Sequence, residues 1–166
     1  TGPEGSQRTL LARNPDLTWV YQTHANIDCP ADYLFYIPAT PEEVAKALKN
    51  RRDALIFCIM DLGDDLLSIN NINQYVANMD EISRGIDLFI PNKVKPGEWE
   101  KSSAFLMELA SQFGYERIAD TLPYCEAIHD LAKERQSVWD LPDNYSNRKA
   151  AFQRLAENVL ELDNRS

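Results

Sequence analysis

The stretch that decides the fold reads Asp53-Ala54-Leu55-Ile56-Phe57-Cys58-Ile59-Met60-Asp61-Leu62-Gly63-Asp64-Asp65. Its unbroken apolar run, residues 54–60, has charged residues on both sides, which is typical of a β-strand buried on both faces. A buried helix followed by an acidic turn fits the same letters, because periodicity does not separate short apolar runs. The stretch therefore predicts a central strand, with a helix as the alternative.

The residues that follow the run predict a ligand-binding edge. In open α/β sheets ligands bind beyond the carboxyl ends of the strands, so Asp61 and Gly63 would stand at that edge. An aspartate there can hold a magnesium ion through water, and a glycine lets its backbone N–H approach a phosphate closely. Asp61 is alternatively a helix or turn acid, and Asp64 and Asp65 are more typical of a solvated turn than of metal ligands.

The segments around the run predict an α/β fold. A strand at 33–37, a helix that begins after Thr40 and ends near Arg52, and the run 54–60 form a strand–helix–strand unit, which builds parallel sheets. The other predicted elements are a strand at 17–23, a helix at 66–82, a strand at 86–90 ended by Pro91, a loop at 93–97, a helix at 99–113 ended by Gly114, a short strand at 118–122, a helix at 124–136 and a final helix capped by Ser146. We expect one α/β domain over 1–166, with a mostly parallel central sheet and helices on both faces.

The composition limits the classes of function. The chain has 166 residues, a hydrophobic content of 44% and a net charge of −9. No apolar run approaches the roughly 20 residues that a membrane span needs. Binding of DNA through the whole surface would need a basic protein, so the charge gives DNA binding no support. The three cysteines, Cys29, Cys58 and Cys125, are odd in number and far apart in sequence. This favours reduced thiols in a cytoplasmic protein over disulfides or a zinc site.

Four segments, taken in order, carry a family resemblance. They are Gly2-Pro3-Glu4-Gly5-Ser6, the stretch from Arg52 to Gly63, Ile86-Asp87-Leu88-Phe89-Ile90-Pro91, and Leu122-Pro123-Tyr124-Cys125-Glu126-Ala127 followed by Ser137-Val138-Trp139-Asp140-Leu141 and a closing helix. Together they resemble the later part of the ParA/MinD-type ATPases, the deviant-Walker group of P-loop proteins, with Asp61 at the end of the Walker B strand. The family's loop Lys-Gly-Gly-x-Gly-Lys-Thr does not occur in the chain and would belong upstream of Thr1. We therefore expect a fragment without the P-loop strand and helix, a trimmed domain or a degenerate relative.

The resemblance implies a function and a set of site residues. It implies an ATP-dependent switch for plasmid or chromosome partition, or for positioning another cellular assembly, which acts as a homodimer and signals to a partner protein of the partition or adaptor type. ATP and Mg²⁺ would be its cofactors, and ATPase activity would require the missing loop from upstream. Asp61 would hold the magnesium through water, and Gly63 would sense the γ-phosphate. The other implied nucleotide-binding residues are Gly5 and Ser6 in the first switch, Asn92 on the adenine, and Pro123 and Tyr124 beside the base. No catalytic residue is assigned.

Two other functions stay open. A small acidic protein-binding module, such as an immunity protein or an inhibitor that mimics nucleic acid, suits the size and the charge. A nucleotide-free pseudo-ATPase would keep only the dimer or partner surface. A hydrolase triad has no support, because His24 and His129 are far apart and no serine or cysteine stands in a Gly-x-Ser-x-Gly elbow.

Overall fold

The structure is a computed structural model that describes residues 48, 51, 53–62, 69–80, 84–134 and 136–164. These residues fall into two compact units. The first contains residues 48, 51, 53–54, 127–134 and 136–140, and the second contains residues 55–62, 69–80, 84–126 and 141–164. The expected strands at 17–23 and 33–37, and most of the helix after Thr40, lie outside the described residues. The expectation of a single domain stays a prediction.

Strands and helices alternate along the described part of the chain. The strands are β1 (Phe57–Asp61) and β2 (Leu88–Asn92), and the α-helices are α1 (Ile69–Asp80), α2 (Trp99–Phe113), α3 (Glu126–Glu134) and α4 (Ser146–Asp163). Short 3-10 turns lie at Pro96–Glu98, Tyr115–Arg117, Val138–Asp140 and Asp143–Tyr145. The central apolar run therefore contains a strand, and the alternative of a buried helix is wrong.

β1 and β2 form a parallel pair, as expected for an α/β protein. The register begins with Phe57 opposite Leu88 and ends with Asp61 opposite Asn92. The start of the ladder is fixed by a side chain, because the Asp87 carboxylate accepts the backbone N–H of Ile56 at 2.6 Å. A parallel sheet with mixed helices is thus confirmed, although the described sheet has only these two strands.

A third segment continues the parallel ladder beside β2. Isolated parallel bridges join Phe89 to Ile118 and Val94 to Pro123. The short strand predicted at 118–122 is wrong as a regular strand, and its hydrogen bonds explain why. The N–H groups that donate to β2 belong to Ala119 and Leu122, three residues apart, whereas a regular ladder uses every second residue.

Helices cover both faces of β2 in the second unit, whereas the expectation that β1 is buried on both faces is wrong, because Ile59 is 68% exposed. On one face, Leu88 and Ile90 belong to a buried cluster with Ala119, Leu122 and Ala151. The α4 side chains packed against this cluster are Phe152, Leu155, Val159 and Leu162. On the other face, Phe89 is fully buried, and its ring centroid lies 5.0 Å from that of Phe113 in α2. Alternation of side chains along β2 therefore separates α4 from α2.

Several predicted boundaries are wrong. β1 begins at Phe57 and not at Ala54, β2 begins at Leu88 and not at Ile86, and α3 is shorter than the predicted helix at 124–136.

Two further differences have a local cause. β2 does not end before Pro91, because the Pro91 carbonyl accepts the Leu122 N–H at 2.8 Å and the pairing with β1 continues to Asn92. Ser146 is the first residue of α4 and not its cap. Tyr145 holds the N-cap position without a side-chain hydrogen bond, because the preceding 3-10 turn runs directly into the helix.

Cys58 in β1 reports on burial of this strand. Burial raises the pKa of its thiol from 9.0 to about 11. A folded-state pKa above the unfolded value means that the neutral thiol favours folding. This contribution is complete below pH 9 and is lost as the pH rises through 11.

We expect replacement of this thiol to flatten the alkaline loss of stability. Between pH 9 and 11, the free energy of unfolding of the wild type should fall by about 1 to 2 kcal/mol more than that of Cys58→Ala. Urea unfolding in the presence of reductant measures both curves. Parallel curves would show that the Cys58 thiol is not buried.

Candidate functional site

The carboxyl edge of the sheet brings together two of the predicted site residues. Asp61 ends β1 and lies opposite Asn92, the last residue of β2. The Leu62 N–H donates to the Asn92 carbonyl oxygen at 2.8 Å, so the register holds up to the last pair. Because paired residues of parallel strands point to the same face, both side chains lie on the face that α4 covers further along the strands.

Lys93 joins this edge, although the sequence predicts it only as the start of a loop. Its ammonium forms an ion pair and hydrogen bond with the Asp61 Oδ2 atom. The Lys93 side chain is 40% exposed and that of Asp61 is 34% exposed, so water reaches both charges. The signal that could have found Lys93 is its position directly after the last strand residue, where the chain passes along the ligand edge.

The backbone of Lys93 adopts an uncommon conformation. Its φ angle is 57°, in the left-handed region, and Lys93 is the only non-glycine residue with positive φ in the described ranges. This conformation costs an L-residue about 1 to 2 kcal/mol, because Cβ approaches a carbonyl oxygen. Ladder bonds hold the residues on both sides, since the Asn92 carbonyl accepts the Leu62 N–H and the Val94 N–H donates to the Leu122 carbonyl at 3.0 Å.

The third parallel segment brings two more predicted residues to the same edge. The Val94 carbonyl accepts the Tyr124 N–H at 2.9 Å, and Val94 bridges Pro123. Pro123 is half-buried, and Tyr124 remains 39% exposed. Pro123 and Tyr124 therefore lie beside Val94, two residues beyond Asn92 along the same chain. The remaining predicted residues, Gly5, Ser6 and Gly63, lie outside the described part of the chain.

Asp61 is the metal ligand that the sequence predicts at this edge. Residues 53–62, 69–80, 84–134 and 136–164 contain no group of three His, Cys, Asp or Glu side chains that could hold a metal. Mg²⁺ usually keeps several waters and binds one or two carboxylates together with substrate phosphates. The partly exposed carboxylate of Asp61 fits that mode once Lys93 leaves it.

No family model, curated protein or solved structure matches the chain. The resemblance to ParA/MinD-type ATPases therefore rests on the four sequence segments and remains a proposal. None of the helices in the described ranges combines the length and the apolar character that a membrane span needs.

We expect glycine to be favoured over alanine at position 93. Both Lys93→Gly and Lys93→Ala remove the ion pair, but only glycine adopts the left-handed backbone without strain. The free energy of unfolding of Lys93→Gly should exceed that of Lys93→Ala by about 0.5 to 1 kcal/mol. This difference already allows for the greater conformational freedom of glycine in the unfolded chain. Denaturant titration measures both values.

Lys95 gives the matched control for this pair of variants. Its φ and ψ angles of −85° and 131° are ordinary extended values, so glycine relieves no backbone strain at this position and Lys95→Gly should gain clearly less over Lys95→Ala than Lys93→Gly gains over Lys93→Ala. An equal gain at both positions would show that Lys93 is not left-handed.

Proposed function

We propose that the chain forms the Mg²⁺- and nucleotide-binding part of a ParA/MinD-like, ATP-dependent switch protein. The observation that supports this proposal best is the pairing of Asp61 with Asn92 at the carboxyl edge, with Pro123 and Tyr124 beside them. A carboxylate, an amide and an exposed aromatic ring at one sheet edge offer separate contacts for a metal ion, a base edge and a base face. Such an edge is where ligands bind in open α/β sheets.

Each residue has a chemical role in this proposal. Asp61 would hold magnesium through water, and the ion would neutralise phosphate charge when it is bound. The Asn92 amide has both donors and an acceptor, which suits the polar edge of adenine. Pro123 and Tyr124 would border the base, and Tyr124 has the exposed surface for it.

The phosphates need contacts from outside the described residues. Gly5, Ser6 and Gly63 would supply backbone N–H groups, and an upstream glycine-rich loop would supply the cradle and the lysine. The chain would hydrolyse ATP only with that loop. The pseudo-ATPase alternative corresponds to a protein in which the loop is missing.

The switch would consist of a change in conformation of the two segments that follow Gly5 and Gly63. ATP held between two copies would order both segments, and a partition or adaptor protein would recognise the ordered dimer in the cytoplasm. The cargo would be a plasmid, a chromosome or another cellular assembly. The net charge of −9 gives direct DNA contact no support, so the proposal does not include it.

We expect binding of ATP to depend on magnesium and on Asp61. Isothermal titration of ATP with Mg²⁺ into the full-length protein should give saturable binding, and Asp61→Asn should weaken it by about tenfold or more. The control is Asp120→Asn, because Asp120 also pairs with a cation, accepting from Arg154 Nε at 2.8 Å, and its side chain is 56% exposed. Asp120→Asn should bind ATP like the wild type.

Two results would contradict the proposal. The first is a full-length protein with neither ATP binding nor Asp61-dependent turnover, which would favour the acidic protein-binding module. The second is equal binding by wild type and Asp61→Asn, which would place any nucleotide site elsewhere.

A further inference from the structure

We propose that Lys93 is an exchangeable counter-ion, which neutralises Asp61 before the ligand binds and contacts the ligand's phosphates afterwards. Magnesium would replace the ammonium at Asp61, and the released ammonium would turn to the phosphate oxygens. The inference rests on the proposed function, because it assigns this exchange to the same edge. It adds a phosphate-contacting residue that lies within the described chain.

The geometry of the edge supports an exchange of side chains without movement of the backbone. The Asn92 carbonyl and the Val94 N–H on either side of Lys93 are held by hydrogen bonds of 2.8 and 3.0 Å. The Cα atom of Lys93 is therefore fixed, while its stem has several rotatable bonds that let the ammonium change partners. The same short stretch leads to Pro123 and Tyr124, where the nucleotide is proposed to lie.

The strength of the ion pair also suits an exchange. Both side chains are more than a third exposed, at 40% for Lys93 and 34% for Asp61. Exposed ion pairs of this kind change an equilibrium constant by only about two- to fivefold. A divalent ion that also binds phosphate can therefore displace the ammonium from Asp61.

The exchange gives a signature that a structural ion pair lacks. Lys93 and a free metal ion compete for the Asp61 carboxylate, so removal of the ammonium should strengthen binding of the metal ion. Lys93 and a free polyphosphate attract each other, so the same removal should weaken binding of the polyphosphate. In addition, the gain in metal binding requires Asp61, whereas the loss in anion binding does not.

The test uses Mn²⁺ alone and tripolyphosphate alone, each titrated into the full-length protein. Lys93→Met keeps an unbranched apolar stem and removes the charge. We expect Mn²⁺, followed by electron paramagnetic resonance, to bind Lys93→Met about three times more tightly than the wild type, and tripolyphosphate to bind about three times more weakly. In an Asp61→Asn background the first effect should disappear and the second should remain.

Lys95→Met is the matched control, because a lost positive charge alters both titrations through the general field of the protein. Lys95 pairs with Glu98 at 3.5 Å, and the two side chains are 38% and 42% exposed, close to the values of the Lys93 pair. Its effects should be clearly smaller than those of Lys93→Met. Its effect on Mn²⁺ should also persist in the Asp61→Asn background.

A separate arm leaves Lys93 in place. Asp61→Asn alone removes the carboxylate that the ammonium contacts and should therefore tighten the binding of tripolyphosphate by about two- to threefold, clearly more than Asp120→Asn, which removes an equal charge elsewhere. This measurement decides the question even if Lys93→Met fails to fold, which circular dichroism would reveal.

The outcomes separate this inference from the proposed function. The exchange would be overturned by equal effects of Lys93→Met and Lys95→Met, or by an Asp61→Asn variant with no gain in tripolyphosphate affinity. In either case, Mg²⁺–ATP binding by the wild type would still support the proposed function. A wild type that binds neither Mg²⁺–ATP nor tripolyphosphate would overturn both.

Discussion

The parallel ladder between β1 and β2 is the constraint on which the whole candidate site depends. Hydrogen bonds hold the ladder at its two ends. The Ile56 N–H donates to the Asp87 carboxylate at 2.6 Å, and the Leu62 N–H donates to the Asn92 carbonyl oxygen at 2.8 Å. A slip of one residue would turn Asp61 to the opposite face and separate it from Asn92. The register is thus the feature that turns two distant polar residues into neighbours.

Packing on both faces makes that register stable. Met60 of β1 and Phe89 of β2 are almost fully buried, and α4 and α2 cover opposite faces of β2. A slip would expose such side chains to water, and burial of a large apolar side chain contributes about 1.5 to 3 kcal/mol. The apolar core therefore positions a polar edge that itself contributes little stability, since its ion pair is exposed to water.

The parts of the fold that the sequence predicts well have strong local signals. α2 spans Trp99–Phe113, as its apolar spacing predicts, and Gly114 ends it with a φ angle of 98°. The carboxyl-end rule predicts that Asp61 stands at a ligand edge, because it depends only on strand direction. The residue opposite Asp61 depends on the register with a strand that follows a helix, so local sequence does not reveal it.

Lys93 and the third segment show why other features were not predictable. The ion pair joins residues 32 positions apart and depends on a left-handed backbone that sequence patterns do not favour for lysine. The segment at 118–122 has the apolar residues of a strand, but its hydrogen bonds to β2 have irregular spacing. Such irregularity arises from tertiary packing, which alternation along one segment does not encode.

The central claim is that one edge, formed by Asp61 and Asn92 together, receives a metal–phosphate ligand. Paramagnetic broadening of backbone amide NMR signals by Mn²⁺ with a non-hydrolysable ATP analogue tests it most directly on the full-length protein. We expect the Leu62, Asn92 and Lys93 signals to broaden together in the wild type and to stay sharp in Asp61→Asn. Broadening confined to the acidic residues of α4, such as Glu157 and Glu161, or broadening at Leu62 without Asn92, would contradict the account.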